Sequence, residues 1–302
     1  MIPLVVGTLA IDTLEFPTHE VTGSFGGSAS FAVLAAALFG PVRLVAGVGD
    51  DFNGEFRTLL EQRQVDLIGV VVHPGQKMFR WRGRYHDDLN KRDTVEYQLN
   101  VLGHYDPVLP EAYRNSQRVM IANMPPARQR RVLQQLGGPR FVMLDTVDDW
   151  VIAHRRELIE VLTDIDLLLI NDAEARMLAD SDNLLKAGRR LLAHGPKAVV
   201  VKKGEHGCVL FDSAGVAALP GYPTEEVIDP TGAGDSFAGG LLGYLGTRAE
   251  ITPRDLRRGL CYGAVIASMT VEGYGLSGLR QATRAEVDQR FAKYLAMLDV
   301  SV

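Results

Sequence analysis

The segment Asp229–Asp235 joins a glycine-rich turn to two carboxylates. It reads Asp-Pro-Thr-Gly-Ala-Gly-Asp, between the strand-like run Glu225–Ile228 and a run of small and apolar residues, 236–245, that predicts a buried helix. Glycines at a helix start leave N–H groups unshielded, and the helix dipole makes that end attractive to an anion. Asp235 would lie beside that anion. An anion cradle next to a proton acceptor suits phosphoryl transfer to an alcohol; the alternative is a turn that only begins a helix.

Three further motifs precede this segment in the chain. Gly26-Gly27-Ser28-Ala29 opens an alanine-rich helix, Val48–Gly54 contains Gly-x-Asp-x-x-Gly, and Asn171–Glu174 is Asn-x-x-Glu. Together with Asp229–Asp235 they resemble, in order and over nearly the whole chain, the signatures of the ribokinase-like (PfkB) carbohydrate kinases. The resemblance implies an α/β fold, with a three-layer α/β/α core around a mainly parallel sheet and a small β-lid. It also implies phosphorylation of a hydroxyl on a small sugar or, alternatively, a nucleoside, with ATP and Mg²⁺.

The same resemblance assigns roles to the glycine-rich segment. Asp235 matches the catalytic base of the family, and the N–H groups of Gly232, Ala233 and Gly234 match its anion hole. Asp229 and Thr231 match positions that support a monovalent-cation site in many relatives, so potassium is a further candidate cofactor.

Two polar segments follow buried strands at the edge where open α/β sheets bind ligands. Asn171 and Glu174 could hold Mg²⁺ through water; alone, this motif would rather indicate a helix cap with a surface glutamate. Next comes Lys202-Lys203-Gly204, with Gly207 beyond it, where the family usually has Thr-Leu-Gly near the nucleotide phosphates. One lysine could neutralise phosphate charge, or both are solvated. The segment 261–275 is expected to line the adenine pocket.

Recognition of the phosphoryl acceptor involves the first third of the chain. Asp12 matches a carboxylate that binds substrate hydroxyls in many relatives, and Gly26 and Gly27 would let the substrate approach the backbone. Phe31 stands where many sugar kinases carry an asparagine. Its ring cannot replace those hydrogen bonds, but it can stack on a ring face.

The segment 78–85 alternates apolar and polar residues, which is typical of a strand with one exposed face. Its aromatic residues, with Phe31, favour a ring-bearing acceptor such as a nucleoside, although packing within the lid is the alternative. Its arginines share one face, and they could attract a phosphorylated acceptor or form the wet side of the lid. The aromatic residues are Phe79, Trp81 and Tyr85; the arginines are Arg80, Arg82 and Arg84.

Apolar strand-like runs alternate with helical stretches, which indicates one domain, 1–302, around a parallel sheet. Helices are predicted at 28–39, 53–62, 153–162, 183–193, 233–245, 253–271 and 284–298, and strands at 4–7, 42–48, 119–122, 141–145, 167–171, 198–202 and 208–211. Two excursions, about 12–23 and 69–100, break this rhythm. The resemblance implies that they form the lid, which often supplies a dimer contact.

Composition excludes several other classes of protein. The net charge of −5 argues against nucleic acid or an anionic membrane as a partner, and the 2 cysteines rule out a disulfide scaffold. The N-terminus lacks signal-peptide features, and no apolar run approaches the roughly 20 residues of a membrane span, so a cytoplasmic protein is expected. Neither Gly-x-Gly-x-x-Gly after the first strand nor a P-loop is present, which disfavours a nicotinamide oxidoreductase or a P-loop enzyme. A non-catalytic ligand sensor on the kinase scaffold remains an alternative.

Overall fold

The computed structural model describes residues 1–52, 54–138 and 140–299. Its strands are β1 (Leu4–Val6), β2 (Ala10–Glu15), β3 (Glu20–Gly26), β4 (Val42–Val48), β5 (Val65–Val72), β6 (Phe79–Tyr85), β7 (Arg92–Gln98), β8 (Arg118–Ile121), β9 (Phe141–Asp145), β10 (Leu167–Asn171), β11 (Ala198–Lys202), β12 (Cys208–Asp212) and β13 (Gly215–Leu219).

The α-helices of the same residues alternate with these strands. They are α1 (Ser28–Ala37), α2 (Gly54–Gln62), α3 (Pro126–Gln135), α4 (Asp148–Ala153), α5 (Arg155–Val161), α6 (Asp172–Ala179), α7 (Leu184–Leu192), α8 (Ala233–Gly246), α9 (Pro253–Val271), α10 (Ser277–Gln281) and α11 (Arg284–Leu298).

The larger sheet forms the middle layer of the molecule. The described residues give it the order β13-β12-β11-β10-β9-β8-β1-β4-β5, parallel from β11 to β5, with β12 and β13 antiparallel at one end. Successive strand residues face opposite sides: Val5 packs with α1, α8 and α9, whereas Leu4 and Val6 pack with α3, α5 and α6. Both faces are therefore covered by helices, and the predicted three-layer α/β/α core is confirmed.

A second sheet with the order β3-β2-β6-β7 forms the lid. It is mixed, because β2 pairs parallel with β6 while the two outer pairs are antiparallel. Its strands cover residues 10–26 and 79–98, so the lid segments differ from the predicted 12–23 and 69–100. Residues 69–72 belong instead to β5, where they pair with β4 of the larger sheet.

The Gly-x-Asp-x-x-Gly motif anchors the segment that leads into the lid. Asp50 accepts a hydrogen bond from Gly75 N at 2.7 Å, and Asp51 accepts one from Met78 N at 2.6 Å. Asp51 also pairs with the Arg80 guanidinium at 2.7 Å. These carboxylates fix the chain where it enters β6, so the motif has a structural role at the base of the lid.

Several sequence predictions need correction. Glu225–Ile228 is not a strand, since its residues join no sheet; Ile228 N instead donates to Val271 O at 2.7 Å. The helix predicted at 153–162 spans only Arg155–Val161 as α5, because His154, whose φ is −135°, interrupts the backbone after the separate helix α4. Asn53, predicted to start a helix, lies outside the described residues. Within those residues, no helix has both the length and the apolar character required to cross a bilayer.

Candidate active site

A cavity of about 1210 Å³ lies between the lid and the carboxyl ends of β9, β10 and β11. It brings together residues that are far apart in the sequence, as expected for the edge of a parallel sheet. Of the predicted site residues, Gly26 and Asp229 are not among its lining. The others line it: Asp12, Gly27, Phe31, Asn171, Glu174, Lys202, Gly204, Gly207, Thr231, Gly232, Ala233, Gly234 and Asp235.

Gly232 begins helix α8 in a conformation that only glycine adopts readily. Its φ is +74°, in the left-handed region, and a Cβ at this position would lie 2.3 Å from the Phe31 ring. Phe31 is 1% exposed, so its ring supports the glycine loop from below and offers little surface to a ligand. This geometry favours the packing interpretation of Phe31 over stacking on a substrate.

Asp229 lies behind the loop and is fully buried. One carboxylate oxygen accepts a hydrogen bond from Thr231 N at 2.9 Å, and the other accepts one from Gly275 N at 2.8 Å. The Thr231 hydroxyl bonds the Tyr85 hydroxyl of the lid at 2.7 Å. Both residues therefore hold the loop in place, and whether a monovalent cation also binds here stays a prediction.

Asp235 lies in the first turn of α8 and lines the cavity. Burial raises its pKa to about 7, and the nearby Asp145 carboxylate acts in the same direction, while Lys202 and Arg92 oppose the shift. A carboxylate with a pKa near neutrality can both accept and release a proton at physiological pH, which suits a general base.

Lys202 forms a two-pronged ion pair with Asp145. Its Nζ lies 2.9 Å from each carboxylate oxygen, and the two side chains are 17% and 5% exposed. Because β11 and β9 flank β10, this pair spans the end of the strand between them. An added Cβ on Gly234 would lie 3.2 Å from the same Nζ. Lys202 is therefore a positioned cation beside the glycine loop, and the solvated interpretation is wrong for it.

Asn171 and Glu174 form a reciprocal helix cap at the start of α6. The Asn171 side chain accepts from Glu174 N at 2.8 Å, and Glu174 accepts from Asn171 N at 3.1 Å. Glu174 is only 4% exposed, so the cap is present but the glutamate is not at the surface. Its burial raises its pKa to about 7, and the neighbouring Asp145 carboxylate acts in the same direction.

The donor atoms around Glu174 fit a hydrated magnesium ion. Within the described residues no cluster of three or more acidic, histidine or cysteine side chains could cage a metal. The carboxylates of Glu174 and Asp145 nevertheless face one cavity, and that of Asp145 is also paired with Lys202. Mg²⁺ prefers few protein ligands, several waters and phosphate oxygens, so this donor set suits it.

Asp12 belongs to lid strand β2, where it is the register partner of Trp81, and it lines the cavity. It is 4% exposed, and burial, assisted by the charge of Asp229, raises its pKa to about 8. A Cβ on Gly26 would lie 1.8 Å from the Asp12 Oδ2 atom, so the missing side chain makes room for Asp12. The sequence predicted that it would make room for a substrate. The Asp12 Oδ1 atom is buried and has no hydrogen-bond partner in the described part of the chain. It is an acceptor that a substrate hydroxyl could satisfy.

The two faces of β6 have different surroundings, which confirms the predicted period of two. Phe79 and Trp81 line the cavity. The three arginines point away from it into ion pairs: Arg80 with Asp51 at 2.7 Å, Arg82 with Glu15 and Glu20 at 2.5 and 2.7 Å, and Arg84 with Glu15 at 2.6 Å. These arginines therefore do not form a subsite for a phosphorylated acceptor.

Further contacts stabilise the lid and join it to the segment after α9 and to α4. Phe16 stacks on Tyr85 at 5.3 Å between ring centroids, and His19 accepts or donates a hydrogen bond with the Tyr274 hydroxyl at 2.8 Å. Ser24 of β3 lies directly against Gly275, where an added Cβ would be 2.1 Å from its hydroxyl. Farther out, Tyr97 of β7 donates to Asp149 at 2.9 Å.

The end of the cavity away from the lid is mostly apolar. Its wall includes Tyr222, Val227, Ala264, Ala267 and Val271. Three of these residues belong to 261–275, the segment expected to line an adenine pocket. The cavity is thus lined by Asp12, Asp235 and Lys202 and also has an apolar part of its wall.

The fold and this arrangement define a phosphotransferase of the ribokinase-like class. The sequence profile of the pfkB family carbohydrate kinases matches residues 4–282, and the chain belongs to this family. It is therefore a kinase that phosphorylates a hydroxyl group.

Several characterised proteins are similar to this chain. A cytidine kinase of Thermococcus kodakarensis is 35% identical over 80% of this chain and 87% of its own length. An ATP-dependent ribose-1-phosphate kinase of Halopiger xanaduensis is 29% identical over 94% and 93%. The crystal structure of a nucleoside kinase from Methanocaldococcus jannaschii superposes with a TM-score of 0.79 at 23% identity, covering 97% of this chain and 99% of the other. That likeness supports the same fold.

Proposed function

We propose that this kinase transfers the γ-phosphoryl group of ATP to a hydroxyl of a nucleoside. The observation that carries the choice of acceptor is the unpaired buried oxygen of Asp12, which lines the cavity together with its lid neighbours Phe79 and Trp81. A buried carboxyl group can form hydrogen bonds with the hydroxyls of a ribose in either protonation state, and aromatic rings can stack on the attached base. The similarity to a cytidine kinase supports the same class of acceptor.

In the proposed reaction, Asp235 accepts the proton of the attacking hydroxyl. A new bond forms between the hydroxyl oxygen and the γ-phosphorus, the bond from that phosphorus to the β,γ-bridging oxygen breaks, and ADP departs with the electron pair. The N–H groups of Gly232 and Gly234 bind the phosphoryl oxygens, whereas the Ala233 N–H, predicted to join them, donates to Pro230 O at 3.2 Å. Mg²⁺, held through water by Glu174 and Asp145, would neutralise phosphate charge.

Lys202 would contact the phosphates at the position where the family usually has threonine. Its Nζ already lies beside Gly234, and Asp145 keeps it from extending into solvent. A lysine ammonium is a compact point charge that suits a phosphate oxygen. Gly204 and Gly207 line the cavity just beyond it, where their backbone can approach the nucleotide.

A small sugar is the second candidate acceptor. Asp12 would bind the hydroxyls of a free sugar as readily as those of a nucleoside, since it recognises hydroxyl pairs and not the base. The family as a whole is named for carbohydrate kinases. The two candidates differ in whether the lid aromatics contact part of the acceptor.

The test is ADP release from ATP and Mg²⁺ with a panel of acceptors, with and without potassium. The panel contains the four common ribonucleosides, ribose, fructose and ribose 1-phosphate. We expect a nucleoside to give the highest kcat/KM and the free sugars at least tenfold less. The reverse order would select the sugar kinase, and no turnover on any acceptor would contradict the proposal. A requirement for potassium would support a cation site near Asp229 and Thr231.

A further inference from the structure

The cavity wall is mainly acidic, although its proposed donor is a polyanion. Arg92 and Lys202 are the permanent cations among the described lining residues, and Lys202 is paired with Asp145. The acidic side chains of the wall are Asp12, Asp87, Asp88, Asp145, Asp172, Glu174, Glu205, Glu225 and Asp235. Arg92 is therefore a cation whose charge is not already matched by an ion pair in the described part of the chain.

The strand register places Arg92 close to the glycine loop. Arg92 begins β7 and is the cross-strand partner of Tyr85, whose hydroxyl bonds the Thr231 hydroxyl at 2.7 Å. Thr231 immediately precedes Gly232. A residue of the lid is thus brought beside the loop that begins α8, on the same side as Asp235.

The Arg92 side chain is held by an aromatic surface. Its guanidinium carbon lies 5.1 Å from the centroid of the Trp81 ring, and Trp81 Nε1 donates to the Thr94 hydroxyl at 3.2 Å. Stacking restricts a guanidinium while leaving its N–H groups free to bind an anion. The arginines of β6 differ, because each is bound by a carboxylate.

We propose that Arg92 is a catalytic residue supplied by the lid, whose guanidinium binds the phosphoryl group during its transfer from ATP to the acceptor. This inference rests on the proposed kinase reaction. The positive charge of Arg92 also lowers the pKa of both Asp12 and Asp235, which shows that its field reaches both ends of the reacting path. A planar guanidinium can bind two phosphoryl oxygens at once, which a lysine cannot do.

The test compares Arg92→Ala and Arg92→Lys with Arg84→Ala as the matched control, since Arg84 is a lid arginine turned away from the cavity. We expect Arg92→Ala to lower kcat about 10²- to 10³-fold, as for loss of one oxyanion donor, with acceptor KM changed less than threefold. Arg92→Lys should show most of the same decrease in kcat, and the kcat of Arg84→Ala should be within twofold of that of the parent. Added guanidinium should partly restore the kcat of Arg92→Ala. Calorimetry should show unchanged binding of ADP and of the acceptor.

The pH profile gives a second, independent readout. The charged groups that face Asp235 are Asp12, Asp145, Lys202 and Arg92. Removing Arg92 removes a group that lowers the pKa of Asp235, so the acid limb of kcat in Arg92→Ala should move to higher pH. An unchanged kcat, or a raised acceptor KM with normal kcat, would overturn the role in transfer. An inactive parent enzyme would instead contradict the proposed function itself.

Discussion

The glycine loop at 229–235 and the lid strand β7 both line the cavity, but they are built differently. The loop is fixed by the buried Asp229 carboxylate, which accepts two backbone N–H groups, and by the Phe31 ring packed below Gly232. Every residue of β7 is exposed, and the strand pairs with β6 alone in the described sheet. One wall is therefore set by buried contacts, and the other by an exposed edge strand.

This difference separates two tasks. Groups that stabilise charge during phosphoryl transfer must be in place before the reaction, because any reorganisation would add to the barrier. Groups that select an acceptor gain from mobility, since closure of a lid excludes water and completes the site. We therefore expect substitutions in the loop, and of Arg92 as the proposed phosphoryl-binding residue of the lid, to change turnover, and substitutions in the lid aromatics to change recognition.

The largest effect is expected for Asp235→Asn. The amide cannot accept the proton of the attacking hydroxyl, so kcat should fall about 10²- to 10⁴-fold. The free energy of unfolding should be equal or higher, because burial disfavours the charged carboxylate. Steady-state kinetics and urea unfolding measure both quantities, with the exposed Asp164→Asn as control. Near-normal turnover by Asp235→Asn would show that another group is the base.

The second prediction concerns pH. The base must be ionised, and because the pKa of Asp235 is raised to about 7, protonation inactivates the enzyme as pH falls below that value. The rate should decrease about tenfold per pH unit there, hence about 100-fold at pH 5. A profile of kcat between pH 5 and 9 tests this. A flat profile down to pH 5 would mean that Asp235 titrates near its ordinary value.

Gly232→Ala should damage the loop in two ways. The φ of +74° disfavours an L side chain, and its Cβ would overlap the Phe31 ring. We expect the free energy of unfolding to fall by about 1–3 kcal/mol and kcat to decrease as well. The control is Gly103→Ala, whose Cβ would meet only Leu99 at 3.9 Å. Equal stability of the two variants would contradict the proposed constraint on the loop.

The lid aromatics should affect the acceptor more than the rate. Phe79→Ala removes a ring that lines the cavity and does not hold Arg92, so acceptor KM should rise about tenfold for a nucleoside, with kcat changed less. A free sugar should be affected less than a nucleoside, because it has no base to stack. Val95→Ala, at an exposed position of β7 outside the cavity wall, serves as control. An equal effect on both acceptors would exclude base stacking.

The smallest effect is expected for Tyr85→Phe. It removes the hydrogen bond between the lid and Thr231 but keeps the ring that stacks on Phe16. The loss should be about 1 kcal/mol in the free energy of unfolding. Urea unfolding of Tyr85→Phe, Thr231→Val and the double variant measures the coupling. Strictly additive losses would show that the hydroxyl contact contributes nothing.

The sequence predicted what is local to one segment. The Asp229–Asp235 motif carries its own turn, helix start and carboxylate, and the strands 42–48, 141–145, 167–171 and 198–202 were placed at their observed bounds. Each depends on a continuous pattern within a few residues. The prediction of a strand at Glu225–Ile228 was wrong because a strand also needs a neighbouring strand to pair with. This run has none in the described sheets.

Residues whose role depends on distant partners were missed. Asp145 ends a correctly predicted strand, yet its importance comes from Lys202, which lies two strands away in the sheet. Arg92 follows the turn after β6, so the alternating pattern of 78–85 did not include it. The alternation of apolar and polar residues predicted that β6 has two different faces, but it did not predict which face lines the cavity. Such information resides in strand order and register, and neither is written in a single segment.

The two hydrogen bonds of Asp229 have a thermodynamic consequence for how the substrates bind. They join Thr231 to Gly275. Thr231 contacts Tyr85 of the lid, and Gly275 packs against Ser24 of the lid. Gly275 also follows the apolar part of the cavity wall. A ligand that stabilises the closed lid therefore also stabilises the turn at Gly275. By linkage, a nucleotide that orders this turn must favour lid closure by the same free energy. In the proposed reaction, acceptor and donor would thus promote each other's binding through the buried Asp229 carboxylate, which does not line the cavity.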